Sequence, residues 1–245
     1  MPRNSMFEFR ILLGGRPVKE YEKDGQCFIL TNLCHPTTYK EQRVEYVEDR
    51  EEIQDVPLTP YEIAITLLRS YDGLQAWGKV FIDGSFIQWV LLRKEKQYIL
   101  RGFRDSGTRK EFVFSLPRFA RDGGQTISEE KAKHVGCINV ELHEAIYMGV
   151  RIGRNVNRNR YPKPLEFKQA SKDDSKAVTD GKYTMSTTKP GRPLPGEEYR
   201  LSRKRSHGSP REISIYDKGE EIVSELQVRY HMKHTLNSLG IDVTE

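Results

Sequence analysis

Most of the first 150 residues follow a pattern of alternating apolar and polar positions. Phe7, Phe9, Ile11 and Leu13 are separated by single residues, a period of two that is typical of a strand with one buried face. Similar short segments lie at residues 26–33, 61–67, 79–82, 85–92, 97–103, 111–116 and 138–142. Turn residues separate these segments, and none has helical periodicity. They therefore predict a mainly β fold, either an antiparallel, jelly-roll-like β-sandwich or a flattened barrel.

Turn and loop signals divide these strands. Asp83-Gly84-Ser85 stands between two apolar runs and predicts a β-hairpin, because Gly84 tolerates a positive φ. Residues 41–58 contain seven acids and two arginines, and we expect an exposed acidic loop there. Residues 120–134 are polar and contain glycine, which predicts a second surface loop.

The character of the chain changes after residue 150. Residues 151–211 are rich in Arg, Lys, Ser, Pro and Gly and have few aliphatic side chains, so they predict a basic linker of low order. Residues 212–245 predict one amphipathic helix of about five to six turns, with Asp217 as its N-cap and Gly240 after its end. The chain is thus expected to divide into a β-domain (1–150), a linker (151–211) and a C-terminal helix (212–245).

The predicted helix carries two adjacent apolar stripes, which need a surface to cover them. That surface is either the chain's own β-domain or another protein, and the sequence leaves both open. The side chains predicted to make this contact are Leu226, Tyr230, Leu236 and Leu239.

Net charge is +5, and it is unevenly distributed. Residues 1–150 have a net charge of −1, residues 151–211 of +10, and residues 212–245 of −4. The basic excess therefore belongs to one quarter of the chain. This distribution of charge indicates that a nucleic-acid partner would bind that tract and not the whole protein.

The basic tract, residues 151–211, is compatible with nucleic-acid binding or with a simple linker, and it also contains a candidate import signal. A flexible cationic segment neutralises phosphates without sequence specificity, and an aromatic ring in it stacks on bases. The residues that would do this are Arg151, Arg154, Arg158, Arg160 and Tyr161. The alternative is a hydrated linker with no ligand. Arg203-Lys204-Arg205 resembles a short nuclear-import signal.

No sequence motif points to a reaction. GxSxG, GxGxxG after a strand, GxxxxGK[ST] and HExxH are all missing. His134, Cys137 and His143 lie close in sequence, but their parity and spacing do not suit a structural zinc site. We therefore expect neither a metal nor a cofactor, and no enzyme activity, although a catalytic site dispersed along the chain stays open.

Five segments resemble a family associated mainly with fungi, domain of unknown function 7918. They are FEFRILLGGRPVKEYEKDGQCFI, VFIDG, KEFVFS, VGCINVELHEA and VRYHMKHTLNSLGID, the last with Arg229-Tyr230 and Leu239-Gly240-Ile241. The resemblance covers residues 7–147 and 222–242. It implies a β-rich N-terminal domain, a variable polar tract and a short C-terminal segment, and it implies no activity. The acidic stretch at 41–58 departs from the family's compact pattern.

These observations favour a non-catalytic, intracellular protein-interaction module with an unidentified protein partner. The alternative is non-specific nucleic-acid binding through the basic tract. Three cysteines, an odd and sparse set, indicate a reducing compartment, and no apolar run is long enough to span a membrane. The N-terminus MPRNSMFEFR lacks an apolar signal-peptide core, so we expect the protein in the nucleus or cytoplasm.

Overall fold

The computed structural model of the chain describes residues 2–47, 50–105, 108–116, 133–153, 187–194 and 211–243. These residues form fourteen β-strands and one short helix, so the protein is mainly β, as its sequence predicts. The strands are β1 (Phe7–Leu13), β2 (Arg16–Pro17), β3 (Glu20–Lys23), β4 (Gln26–Leu30), β5 (Tyr39–Val47), β6 (Arg50–Leu67), β7 (Gln75–Ile82), β8 (Ser85–Arg93), β9 (Gln97–Leu100), β10 (Gly102–Asp105), β11 (Thr108–Ser115), β12 (Cys137–Gly153), β13 (Thr187–Pro193) and β14 (Arg211–His231). The helix is α1 (Lys233–Ser238).

The strands form two sheets. The first has the order β10-β11-β6-β1-β2, with β13 paired to β11 and with β5 and β9 paired to β6. The second has the order β3-β4-β14-β12-β7-β8. The strand pairs are antiparallel except β4 and β14, which run parallel.

One hydrophobic core joins the two sheets. The first sheet contributes the odd-numbered residues of β1 and β6, for example Phe9 and Ile63, and the second contributes Val80, Val140 and Val228. All five side chains are buried. Alternate side chains of a strand point to opposite faces of the sheet. Each of these strands therefore buries every second side chain in the core, and the side chains between them form a second surface.

The predicted hairpin at Asp83-Gly84 is confirmed. Asp83 has φ +51° and Gly84 has φ +70°, and β7 pairs with β8 from Ile82 and Ser85 outward. Positive φ at both central residues belongs to a type I′ turn, whose twist matches that of the flanking strands.

The acidic loop predicted at residues 41–58 is wrong. The described residues of this stretch, 41–47 and 50–58, belong to a two-stranded β-ribbon in which β5 pairs with β6 from Tyr39↔Leu58 to Val47↔Arg50. Val56 and Leu58 are buried with Val113 in a small separate core, which holds the base of the ribbon on β11. A run of acids indicates exposure to solvent, and a ribbon provides that exposure as well as a loop does.

The long C-terminal helix predicted over residues 212–245 is also wrong, since residues 211–231 form β14. The stripe Ile222, Leu226 and Tyr230 has a spacing of four, which fits a helical face and also keeps one parity of a strand. β14 pairs with β12 from Cys137↔Arg229 to Gly153↔Arg211. The paired backbone of β12 decides between the two, because it satisfies the main-chain hydrogen bonds of β14 along this length.

Helix α1 ends as the sequence indicates. Gly240 has φ +72°, the Gly240 amide donates to the Asn237 carbonyl (2.8 Å), and the Ile241 amide donates to the Leu236 carbonyl (2.9 Å). These two bonds form a Schellman motif, and Leu236 and Ile241 pack together in a small core with Phe28.

The linker predicted over residues 151–211 is wrong where the structure describes strands in it, at residues 151–153, 187–193 and 211. Thr187–Pro193 is strand β13, which pairs with β11, and its Thr188 is buried. Arg151, Ile152 and Gly153 extend β12. The remaining residues of that tract, 154–186 and 195–210, lie outside the described residues, as does most of the surface loop predicted at 120–134.

Candidate functional site

Strands β7 and β8 turn aromatic side chains away from the core. In β7 the buried residues are Ala76, Gly78, Val80 and Ile82, and the residues between them are partly exposed. The partly exposed rings of this hairpin are Trp77 and Phe81 on β7 and Phe86 and Trp89 on β8. We call these four residues the aromatic face. A strand that places aliphatic side chains on one face of the sheet and aromatic side chains on the other has a second apolar surface in addition to the one in the core.

The rings of the aromatic face contact one another, two pairs edge to face and the Phe86–Trp89 pair tilted at 59°. Phe81 and Phe86 have centroids 5.9 Å apart, Phe86 and Trp89 are 6.4 Å apart, and Trp77 and Trp89 are 6.4 Å apart at 86°. Edge-to-face contacts align the positive edge of one ring with the negative face of the next. The four rings therefore form one continuous band across the hairpin.

Two lysine side chains, one from β7 itself and one from β14, lie over this band. The Lys79 ammonium is 3.0 Å from a Glu141 carboxylate oxygen and 4.6 Å from the Phe81 centroid. From β14, the Lys218 ammonium reaches 4.6 Å from the Trp89 centroid. Lys79 also lies 5.7 Å from the Trp89 centroid, and its charge is balanced by Glu141. Lys218, by comparison, has ring contacts and no carboxylate partner among the described residues.

His143 supports the band from β12. Its ring lies 4.9 Å from that of Trp89 at 68°, and its side chain is buried. Nδ1 donates to the Gly219 carbonyl oxygen (3.0 Å), and Nε2 is 3.4 Å from a Glu141 carboxylate oxygen. These contacts fix the imidazole, which in turn restricts the Trp89 ring.

A two-stranded ribbon extends from the same sheet. β12 pairs with β7 as far as Glu144↔Ala76, and beyond that its one partner among the described strands is β14, from Ala145↔Lys218 to Gly153↔Arg211. We call residues 145–153 and 211–218 the β12–β14 ribbon. A bulge interrupts its register between Tyr147 and Gly149, where Gly149 has φ +118°.

The β12–β14 ribbon exposes large apolar side chains. Met148 is 62% exposed, Tyr147 56% and Val150 51%, and Ile146 and Ile215 are exposed as well. Tyr147 stands opposite Tyr216, with ring centroids 5.6 Å apart, and Gln75 donates to the Tyr216 hydroxyl (3.0 Å). This bond joins the ribbon to β7, the strand that carries Trp77 and Phe81.

The four residues predicted to contact a partner are separated by the structure. Tyr230 is buried in the core between the sheets, and Leu236 is buried in the small core beside α1. Leu226 is partly buried against the main core, and Leu239 is 37% exposed. Tyr230 and Leu236 are covered by the chain itself, so the contact predicted for these two side chains is intramolecular.

The residues predicted for nucleic-acid binding and nuclear import are largely outside the described structure. Arg151 lies in β12 opposite Ile213. The others are Arg154, Arg158, Arg160, Tyr161, Arg203, Lys204 and Arg205, none of which is among the described residues.

The described residues do not bring together groups with shifted pKa values in a pocket. A surface pocket of about 560 Å³ is lined by Arg3, Thr66, Leu67, Leu68, Arg69, Ser70 and Glu95. Burial shifts the pKa of two cysteines, of several tyrosines and of one histidine, but none of these groups lines that pocket. Among the described residues, no group of three His, Cys, Asp or Glu side chains is placed to hold a metal ion, and no helix is long and apolar enough to cross a bilayer.

Sequence reasoning missed the aromatic face and the ribbon. A signal for the first is present: residues 75–92 are apolar on both parities, which a strand facing solvent on one side does not require. The ribbon is not predicted, because the pattern of residues 212–245 favours a helix where its second strand lies. Comparison of the chain with known protein families, with curated proteins and with solved structures gave no match.

Proposed function

We propose that the chain is a non-catalytic protein-interaction module, built as an antiparallel β-sandwich of jelly-roll type, which binds an apolar surface of a partner protein through its β12–β14 ribbon. The observation that carries this proposal is the exposure of Ile146, Tyr147, Met148, Val150 and Ile215 on one short ribbon. The described residues expose ten large apolar side chains, so half of them belong to this element. Clustered exposed apolar side chains mark interaction surfaces, whereas scattered ones are ordinary.

The construction of the ribbon supports the same proposal. Beyond Glu144, neither β12 nor its partner segment of β14 pairs with a third strand among the described residues. A two-stranded ribbon is marginally stable in water by itself, and its outer edges offer unpaired main-chain groups. A partner that covers the apolar side chains and pairs with an edge would stabilise the ribbon and gain specificity from its register.

Aromatic residues add to the surface at the base of the ribbon. Tyr147 and Tyr216 present two adjacent rings, and tyrosine is enriched at interfaces because it combines a large apolar ring with a polar hydroxyl. Residues of this kind provide much of the binding free energy of known interfaces.

The test compares the proteins recovered with the full chain and with a ribbon variant. In Met148→Lys/Val150→Lys, two exposed apolar side chains become cationic without a loss of core contacts. We expect a specific partner to bind the wild type and to bind this variant at least about tenfold more weakly, a loss typical of disrupted central interface residues. Affinity is measured by calorimetry with the purified partner.

Leu74→Lys is the matched control, because Leu74 is 80% exposed and lies outside the ribbon. It should bind like the wild type. If every partner of the wild type is retained by the ribbon variant, or if sedimentation shows that a second copy of the chain covers the ribbon, the proposal is wrong.

Non-specific nucleic-acid binding by the basic tract is a separate proposal, and it rests on charge alone. It predicts an affinity for single-stranded nucleic acid that falls steeply with salt concentration. Binding that is independent of salt, or no binding at low salt, would contradict it.

A further inference from the structure

The ammonium group of Lys218 lies between two indole rings. Its Nζ is 4.6 Å from the Trp89 centroid and 5.6 Å from the Trp77 centroid. The two rings stand at 86° to each other, with centroids 6.4 Å apart. Two nearly perpendicular aromatic walls around one cation have the arrangement of an aromatic cage.

The walls of this cage are held by contacts that do not involve the Lys218 side chain. The Trp77 indole N–H donates to the Asp217 carbonyl oxygen (3.1 Å). The Trp89 ring packs against the imidazole of His143, which donates a hydrogen bond to the Gly219 carbonyl oxygen. Both carbonyls belong to the backbone of β14. The cage therefore keeps its shape when the Lys218 side chain moves away, and a preorganised site binds a ligand at lower entropic cost.

Lys218 itself is well suited to be displaced. Its side chain is exposed, and it forms no ion pair among the described residues. The neighbouring Lys79, by comparison, is held by Glu141 at 3.0 Å. A long flexible side chain that contacts only ring faces exchanges readily with solvent.

We propose that Trp77 and Trp89 form a binding site for a methylated ammonium group, and that Lys218 is a resident occupant which this ligand displaces. Methylation spreads the charge over a larger, weakly hydrated group, whereas the lysine ammonium is compact and strongly hydrated. The methylated group thus loses less hydration on entering the cage and gains more contact with the rings. This proposal does not depend on the function proposed for the β12–β14 ribbon.

Intrinsic fluorescence provides a selective measurement, because the chain contains two tryptophans and both belong to the cage. The probe is tetramethylammonium chloride, with sodium chloride at equal ionic strength as the reference. We expect a saturable change in emission for the wild type. In Lys218→Ala the apparent affinity should rise about two- to fivefold, because an internal competitor with a typical exposed cation–π contact is removed.

Lys40→Ala is the matched control, since Lys40 is an exposed lysine of the β5–β6 ribbon, paired with Asp55. It should behave like the wild type. Trp89→Leu should abolish the saturable change, and far-UV circular dichroism checks that this variant is folded. The indole N–H signals of the wild type in NMR spectra give a second reading that needs no substitution.

Two sources of the ligand are then separated. A peptide with trimethyllysine that binds more tightly than choline identifies a modified protein side chain, and the reverse order identifies a small quaternary amine. The proposal is overturned if tetramethylammonium acts no differently from sodium on both the wild type and Lys218→Ala. It is also overturned if Lys218→Ala leaves the affinity unchanged, or if unmodified and trimethylated peptides bind equally.

Discussion

The hydroxyl of Tyr230 donates a hydrogen bond to the carboxylate of Asp83. Tyr230 lies in β14 and Asp83 in the turn between β7 and β8, so the bond joins two parts of the second sheet. The same carboxylate accepts the amides of Gly136 (2.7 Å) and Thr188 (3.0 Å). The Thr188 hydroxyl lies 3.0 Å from that of Tyr230 and 2.8 Å from that of Tyr61, which belongs to the first sheet. Burial raises the pKa of both tyrosines well above 10, which keeps them neutral donors.

Replacing Asp83 by Ala should destabilise the fold. The change removes the acceptor for a buried phenol and two amides, and we expect the free energy of unfolding to fall by about 2–4 kcal/mol. Urea denaturation measures this quantity. Asp24→Ala is the matched control, because Asp24 occupies the same position of a turn, with φ +51° before Gly25, but is exposed. Equal losses in the two variants would show that Asp83 acts only through its turn conformation.

His231 should make stability depend on pH. Burial, assisted by the nearby charge of Arg229, lowers the pKa of His231 from 6.5 to about 4. The folded state therefore favours the neutral imidazole, so its contribution is complete above pH 6.5 and is lost as the pH falls toward 4. Across that interval the wild type should lose up to about 3 kcal/mol more than His231→Leu, as measured by urea denaturation. His234→Leu, which alters an exposed histidine of α1, should retain the wild-type dependence.

The three cysteines should differ in reactivity. Burial and the neighbouring Glu20 carboxylate raise the pKa of Cys27 to about 12, and burial raises the pKa of Cys137 to about 11. Cys34 is exposed. Since the thiolate is the reactive form, Ellman's reagent at pH 8 should modify Cys34 rapidly and the others slowly in the native protein. The rapid phase should disappear in Cys34→Ser and persist in Cys27→Ser; a rapid phase that survives Cys34→Ser would contradict this assignment.

Gly240 should be sensitive to any Cβ. Because its φ is +72°, Gly240→Ala is expected to lower the free energy of unfolding by about 1–2 kcal/mol. Gly240→Asn should cost less, since asparagine tolerates the left-handed conformation. Thermal and urea unfolding of both variants test the order. If Ala and Asn are equivalent, crowding against the Lys23 side chain, rather than φ, limits this position.

Several local features were determined by the sequence alone. The period of two at Phe7–Leu13 predicts β1, the Asp83-Gly84 pair predicts the hairpin, and Gly240 predicts the end of a helix. Each depends on the conformational preferences and polarity of residues within a few positions of one another. Such interactions are the same in any fold that contains the segment, so they can be read without knowledge of its neighbours.

Other features were decided by the tertiary structure. Residues 211–231 have an apolar spacing that suits a helix or a strand, and pairing with β12 makes them a strand. Thr187–Pro193 becomes a strand because β11 offers it an edge. The cage of Trp77, Trp89 and Lys218 combines residues up to about 140 positions apart. Backbone hydrogen bonds and ring contacts between distant segments depend on which strands become neighbours, and no local pattern in the sequence encodes that choice.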